Sequence, residues 1–130
     1  MSDDVVRALV AGHADFAAGL VSAVEAITGR GDVFMPIQVR GLCGDDIQQL
    51  LRDRLTQSGA QVIFTDLSAG SCTMAARKVL REMPGVILVA GVNLPMLLEF
   101  ALSSNPSGPE AATAAAGKGR DSVSVHGGPA

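Results

Sequence analysis

The chain is predicted to be an α/β protein, a mostly parallel sheet with helices on both faces, from three observations. Short apolar runs alternate with amphipathic stretches of helical period, in the order β-α-β-α-β-α-β-α. The fourth apolar run, Val86 to Ala90, carries no polar residue, as suits a strand that is central or covered on both faces. Finally, 130 residues at 48% hydrophobic and 18% charged content make one domain with a real core and exclude a disordered chain. Crossovers between such strands are right-handed.

Val5 to Val10 reads as the first buried strand. Phe16, Leu20, Val24 and Ile27 then fall on one helical face, and Gly29 and Gly31 can end that helix. Val33 to Val39 is the second strand, with Pro36 marking it as an edge. Ile47, Leu50, Leu51 and Leu55 define a second helix. Asp45 and Asp46 suit its positive N-terminus, and Ser58-Gly59 closes it. Gln61 to Thr65 is the third strand. A helix opening at Ser71 carries Met74, Ala75, Val79 and Met83 and stops at Pro84-Gly85. After the fourth strand, Pro95 fits the first turn of a helix running to about Ser103. The core is expected to end near residue 104, leaving 105–130 as linker and C-terminal segment. Ser103 to Pro109 reads as a loop, Glu110 to Ala116 as a short helix, and Asp121 to His126 as an added strand or a frayed tail. Met35, Met74, Met83 and Met96 read as core filler.

Several function classes drop out. A net charge of −3, with no tyrosine or tryptophan, argues against nucleic-acid binding. No apolar run approaches the roughly 18–20 residues needed to span a bilayer, and Met1-Ser2-Asp3-Asp4 lacks the basic start of a signal peptide, so a cytoplasmic protein is expected. Cys43 and Cys72 are too far apart for a zinc motif and read as reduced thiols. No phosphate-binding G-x-x-x-x-G-K-[ST] loop and no G-x-G-x-x-G is present. A two-component receiver domain needs an acidic pair after the first strand, where this chain has Ala11-Gly12-His13.

The chemistry-bearing residues lie in three loops that follow strands one, three and four, along the edge where parallel sheets bind ligands. His13 is one of only two histidines, and His126 sits in the Gly/Pro-rich end. Its neutral ring is a nucleophile. Asp66 can accept a hydrogen bond from one ring nitrogen and leave the other free to attack. Ala69-Gly70-Ser71 leads into a helix whose N-terminal amides favour an anion. A nucleophile, an orienter and an oxyanion cradle are the parts phosphoryl transfer needs. Plainer readings stand beside these. In these His13 is an ordinary loop residue, Asp66 a turn residue, Ser71 a helix cap and Asn93 a turn brace.

At these loops the chain resembles the mannose-family IIA component of the bacterial phosphoenolpyruvate-dependent sugar phosphotransferase system. Gly12-His13, Thr65 to Ser71 and above all Ala90-Gly91-Val92-Asn93-Leu94-Pro95-Met96-Leu97-Leu98-Glu99 carry the resemblance, with Gly119 to Val123 matching a late Gly-Arg segment. It implies a three-layer α/β/α sandwich of four parallel strands, to which a dimer partner's C-terminal segment adds a fifth, antiparallel strand. His13 would take a phosphoryl group from the phosphocarrier HPr and pass it to a IIB component serving a membrane IIC/IID transporter. Asp66 would be its hydrogen-bond partner. Ser71, Gly70 and Ala69 would hold phosphate, Asn93 and Pro95 would support the loop, and Phe16 would join an apolar contact surface. No metal or organic cofactor is implied. A regulatory phosphocarrier, such as the subunit feeding dihydroxyacetone kinase, and a non-catalytic interaction module share these residues. Ala69-Gly70-Ser71-Cys72 departs from the family's Gly-Gly-Ser-Pro turn. Alanine tolerates positive φ poorly, so a less pre-organised loop is expected, and Cys72 enters a first helical turn where a thiol pKa can fall.

Overall fold

A computed structural model describes residues 6–130, so Val5 lies outside the described residues. The strands are β1 (Ala8–Ala11), β2 (Phe34–Ile37), β3 (Val62–Thr65) and β4 (Ile87–Ala90). The helices are α1 (Phe16–Thr28), α2 (Gly44–Ser58), α3 (Ser71–Glu82), α4 (Leu94–Leu102) and α5 (Gly108–Asp121). All strand pairs are parallel, in the order β2-β1-β3-β4. Leu9 stands opposite both Met35 and Ile63, and Ile63 opposite Leu88.

Period-two alternation divides each strand between two cores. Ala8, Val10, Phe34, Val62 and Phe64 pack against α1, α4 and α5. Leu9, Ala11, Ile37 and Ile63 pack against α2 and α3 through Ile47, Leu51, Leu55, Ala76 and Val79. The result is three layers. Phe34, Phe64 and Phe100 form an aromatic knot with ring centroids 5.3–6.2 Å apart. Burying each such ring is worth about 1.5–3 kcal/mol. Glycine ends α1 and α2: Gly29 and Gly59 cap them at φ 71° and 76°, a conformation glycine adopts without a Cβ penalty.

Several expectations shift. β4 is an edge strand, and its apolar character comes from helices on both faces rather than from a central place. The core continues past residue 104, because Ala111, Ala112 and Ala115 of α5 are buried in it. α5 is also longer than its alanine run, extending through Gly117 and Gly119 to Asp121. Gly119 lets α5 approach α4, since a Cβ there would stand 2.7 Å from Met96 Cβ. The tail after α5 forms no strand with this chain's own sheet, and Val123 and Val125 are exposed. Ile27 and Met74 project into solvent instead of the core. Pro36 does lie on an edge, where its missing N–H is tolerated.

The chain crosses from β1 outward to β2, then returns past β1 to β3. The order therefore reverses between β1 and β3, and the loops leaving these strands frame the crevice where parallel sheets place ligands.

Candidate active site

His13 follows β1 and Asp66 follows β3, so two neighbouring strands deliver them to one spot. Asp66 Oδ2 accepts from His13 Nδ1 at 2.7 Å and from the His13 backbone N–H at 2.8 Å. An ionised carboxylate only accepts, so Nδ1 carries the proton and Nε2 keeps a free lone pair. The imidazole is 61% exposed and the carboxylate only 10%. The carboxylate is therefore sheltered while the imidazole faces outward. Burial by itself would raise the Asp66 pKa. The His13 imidazole and backbone N–H outweigh it and hold the carboxyl below its ordinary value.

Gly12 makes this contact sterically possible. A Cβ at Gly12 would stand 2.8 Å from Phe16 Cδ2 and 2.9 Å from Asp66 Cγ. Ala14, on the other side of the histidine, is left-handed at φ 49° and turns the chain into α1.

Gly70 is the N-cap of α3 at φ 125°, and a Cβ there would lie 3.6 Å from His13 Cε1. The helix start therefore abuts the imidazole. No side chain caps it, and the first amides of a helix have no partner within the helix. Ser71 is the first helical residue, not the cap, and it is exposed. Ala69 does not take the positive φ expected of it; Gly70 does, so the alanine costs no backbone strain there. Cys72 corrects another expectation. It is buried, and burial together with the Asp66 charge pushes its thiol pKa up, so it is not an activated thiolate.

Asn93 lies away from the imidazole in its contacts. Its Oδ1 accepts from the Met96 N–H at 3.0 Å, capping α4, and its Nδ2 donates to the Gly119 carbonyl at 2.9 Å. Pro95 occupies the first turn of α4. Asn93 thus ties α4 to α5, while His13, Asp66 and Gly70 come together. The loop after β4 does reach the site's frame, because the Gly91 and Val92 N–H groups both donate to the Thr65 carbonyl at 2.9 Å.

Thr73 is a site-building residue that pattern reading does not single out, and Gly12 and Thr65 appear there only as motif members, with no role given to either. Thr65 and Thr73 are buried, and their hydroxyls meet at 2.7 Å. The only sequence sign is a hydroxyl residue on a helix face otherwise made of Cys72, Ala75, Ala76 and Val79. Among the described residues no group of three or more His, Cys, Asp or Glu is placed to hold a metal. No helix there is long and apolar enough to cross a membrane.

The fold and site define a class by geometry: doubly wound parallel α/β sandwiches that hold a carboxylate-bonded, exposed imidazole beside the start of a helix. Comparisons narrow it. The family described as "PTS system fructose IIA component" (EIIA-man) matches residues 7–116. The chain is 32% identical over 103 residues to the sorbose-specific EIIA component of Lacticaseibacillus casei, covering 75% of this chain and 72% of that protein. Its fold matches the mannose/sorbose-specific IIA subunit from Enterococcus faecalis at a TM-score of 0.79, with 22% identity over 95% of this chain and 96% of that one. It matches component EIIA from Streptococcus agalactiae at 0.80, with 19% identity over 92% and 95%. The chain belongs to the EIIA-man family, the mannose/sorbose-type IIA components of the sugar phosphotransferase system.

Proposed function

We propose that the protein is a phosphohistidine relay, taking a phosphoryl group from phospho-HPr onto His13 Nε2 and passing it to a IIB component for sugar uptake. The observation that carries this reading is the bond from His13 Nδ1 to Asp66 at 2.7 Å, on an imidazole that is 61% exposed. The Nε2 lone pair attacks phosphorus in line as the donor's P–N bond breaks, and that electron pair returns to the donor imidazole. The ring then carries positive charge, which Asp66 faces directly. Amides at the start of α3 and the Ser71 hydroxyl receive the phosphoryl oxygens. In the second step His13 is the leaving group, and the same charges support the reverse displacement onto IIB.

Leu67 and Met74 are exposed in the site loop and the first turn of α3, and Leu42 in the loop after β2. With half-buried Phe16 they give carrier proteins an apolar landing around His13. The named relative, specific for sorbose, supports transport of a mannose/sorbose-class sugar over a purely regulatory role. We place the protein in the cytoplasm, as a homodimer. Among the described residues the β4 edge is unpaired, and it opens on a groove of about 300 Å³ lined by Met96, Gly119, Arg120 and this chain's own Val123, which a partner's Val123–Val125 segment would replace by exchange.

The test is labelling from phosphoenolpyruvate through enzyme I and HPr. Wild type should acquire an acid-labile, base-stable phosphate and His13→Ala none. Equal labelling of the two, or no labelling of wild type, refutes the relay.

A further inference from the structure

We infer that Thr73 is a positioning residue that sets the Asp66 carboxylate by clamping the residues on both sides of it. This inference rests on the relay reading for its kinetic consequence, but its geometry stands apart from it. The Thr73 hydroxyl donates to the Leu67 carbonyl, immediately after Asp66. Its single proton is thereby committed, so at the 2.7 Å contact with Thr65 it accepts and the Thr65 hydroxyl donates. Thr65 immediately precedes Asp66. One side-chain oxygen thus fixes both neighbours of the carboxylate, which is itself, among the described residues, the group bonded to His13 Nδ1.

Burial strengthens the clamp. Thr65 and Thr73 are 0% and 1% exposed, so water cannot replace either partner, and a missing hydroxyl leaves unpaired polar groups in the core. Thr73 is also the third residue of α3, the helix whose N-cap, Gly70, lies beside the imidazole. The clamp therefore ties the orienting carboxylate and the anion cradle into one rigid unit. The Thr65 carbonyl extends it by accepting from Gly91 and Val92.

The test compares Thr73→Val, which keeps the shape and removes the hydroxyl, with Thr73→Ser, which keeps the hydroxyl. Two readouts are taken: the rate of phosphorylation from phospho-HPr, and the ¹⁵N shifts of the His13 ring with the imidazole neutral. Thr73→Val should slow phosphorylation roughly 10- to 100-fold and move the ring from a dominant Nδ1–H tautomer towards a mixture. Thr73→Ser should restore the tautomer and the rate to within about threefold of wild type. In an Asp66→Asn background, Thr73→Val should add less than about twofold. Should Thr73→Val fail to fold, Thr65→Val, which leaves the Thr73–Leu67 bond in place, should show the same direction of tautomer change with a smaller loss. A native tautomer with a near-native rate in whichever Val variant folds overturns the clamp. So does a Thr73→Val loss of equal size with and without the Asp66 carboxylate. If wild type takes no phosphate at all, the relay reading fails while the tautomer comparison still decides the clamp.

Discussion

Gly12→Ala is the sharpest probe of how closely the histidine and its carboxylate are fitted. The added methyl would lie 2.9 Å from Asp66 Cγ and 3.0 Å from its Cβ, at least about half an ångström short of ordinary contact. Phe16 at 2.8 Å blocks retreat the other way. If Asp66 yields by that amount, the His13 Nδ1 contact lengthens from 2.7 Å to about 3.2 Å, beyond the charge-assisted range of about 2.7–2.9 Å. Losing a hydrogen bond to a charged group costs about 1.5–3 kcal/mol, which is a rate loss of roughly 10- to 150-fold. Overpacking should also lower stability by about 1–3 kcal/mol. The assay is the time course of phosphate transfer from phospho-HPr at equal protein concentration, alongside a thermal melt. A variant that melts several degrees lower yet transfers within twofold of wild type would show that the glycine serves packing alone, and the argument for its place in the site would fall.

Other outcomes follow from the same geometry. The lowered Asp66 pKa makes its contribution to stability fully present above the unfolded carboxyl value, near 3.8, and lost as pH falls through the lower folded value. The stability difference between wild type and Asp66→Asn should therefore hold from neutrality to about pH 5 and shrink below about pH 4, and denaturant titrations that find it unchanged at pH 3 would contradict this. At neutral pH, Asp66→Asn should remain folded and transfer phosphate more slowly. Ala14→Gly should relieve a left-handed alanine at φ 49°. Set against the entropy of glycine, the net gain is about 0.5–1 kcal/mol, visible as a rise of a few degrees in Tm; a fall would mean that the Ala14 methyl makes compensating contacts.

Much of this architecture is written locally. Gly29 and Gly59 end helices because they can take positive φ, and that preference needs no knowledge of the rest of the chain. His13 and Asp66 are legible because each closely follows an apolar strand, and parallel strands bring their ends together. Gly12 is different. Its lack of a side chain matters only because Asp66, 54 residues on in sequence, occupies the space. Thr73 likewise reads as an ordinary helical residue until Thr65 and Leu67 are seen around it. The Ala69 and Ala14 exchange has the same origin. Composition says that an alanine in a tight loop is costly, but only the path of the chain says which alanine carries the turn. The full length of α5 is not legible because glycine lowers helix propensity, whereas Gly119 lets two helices meet.

The separation between the two halves of the site has a consequence for how the protein comes into being. The imidazole and its carboxylate are joined across 53 residues of sequence. Closing a loop of that length costs about 3.5 kcal/mol in chain entropy before any fixed contribution. The pairing of β1 with β3 has to meet that cost, and nothing nearer in sequence can substitute for it. A nascent chain that has emerged only as far as α2 holds the histidine but has no oriented nucleophile. Competence should thus appear late in synthesis, in step with native structure, and a newly made molecule should not drain phosphoryl groups from the cascade before its sheet is complete.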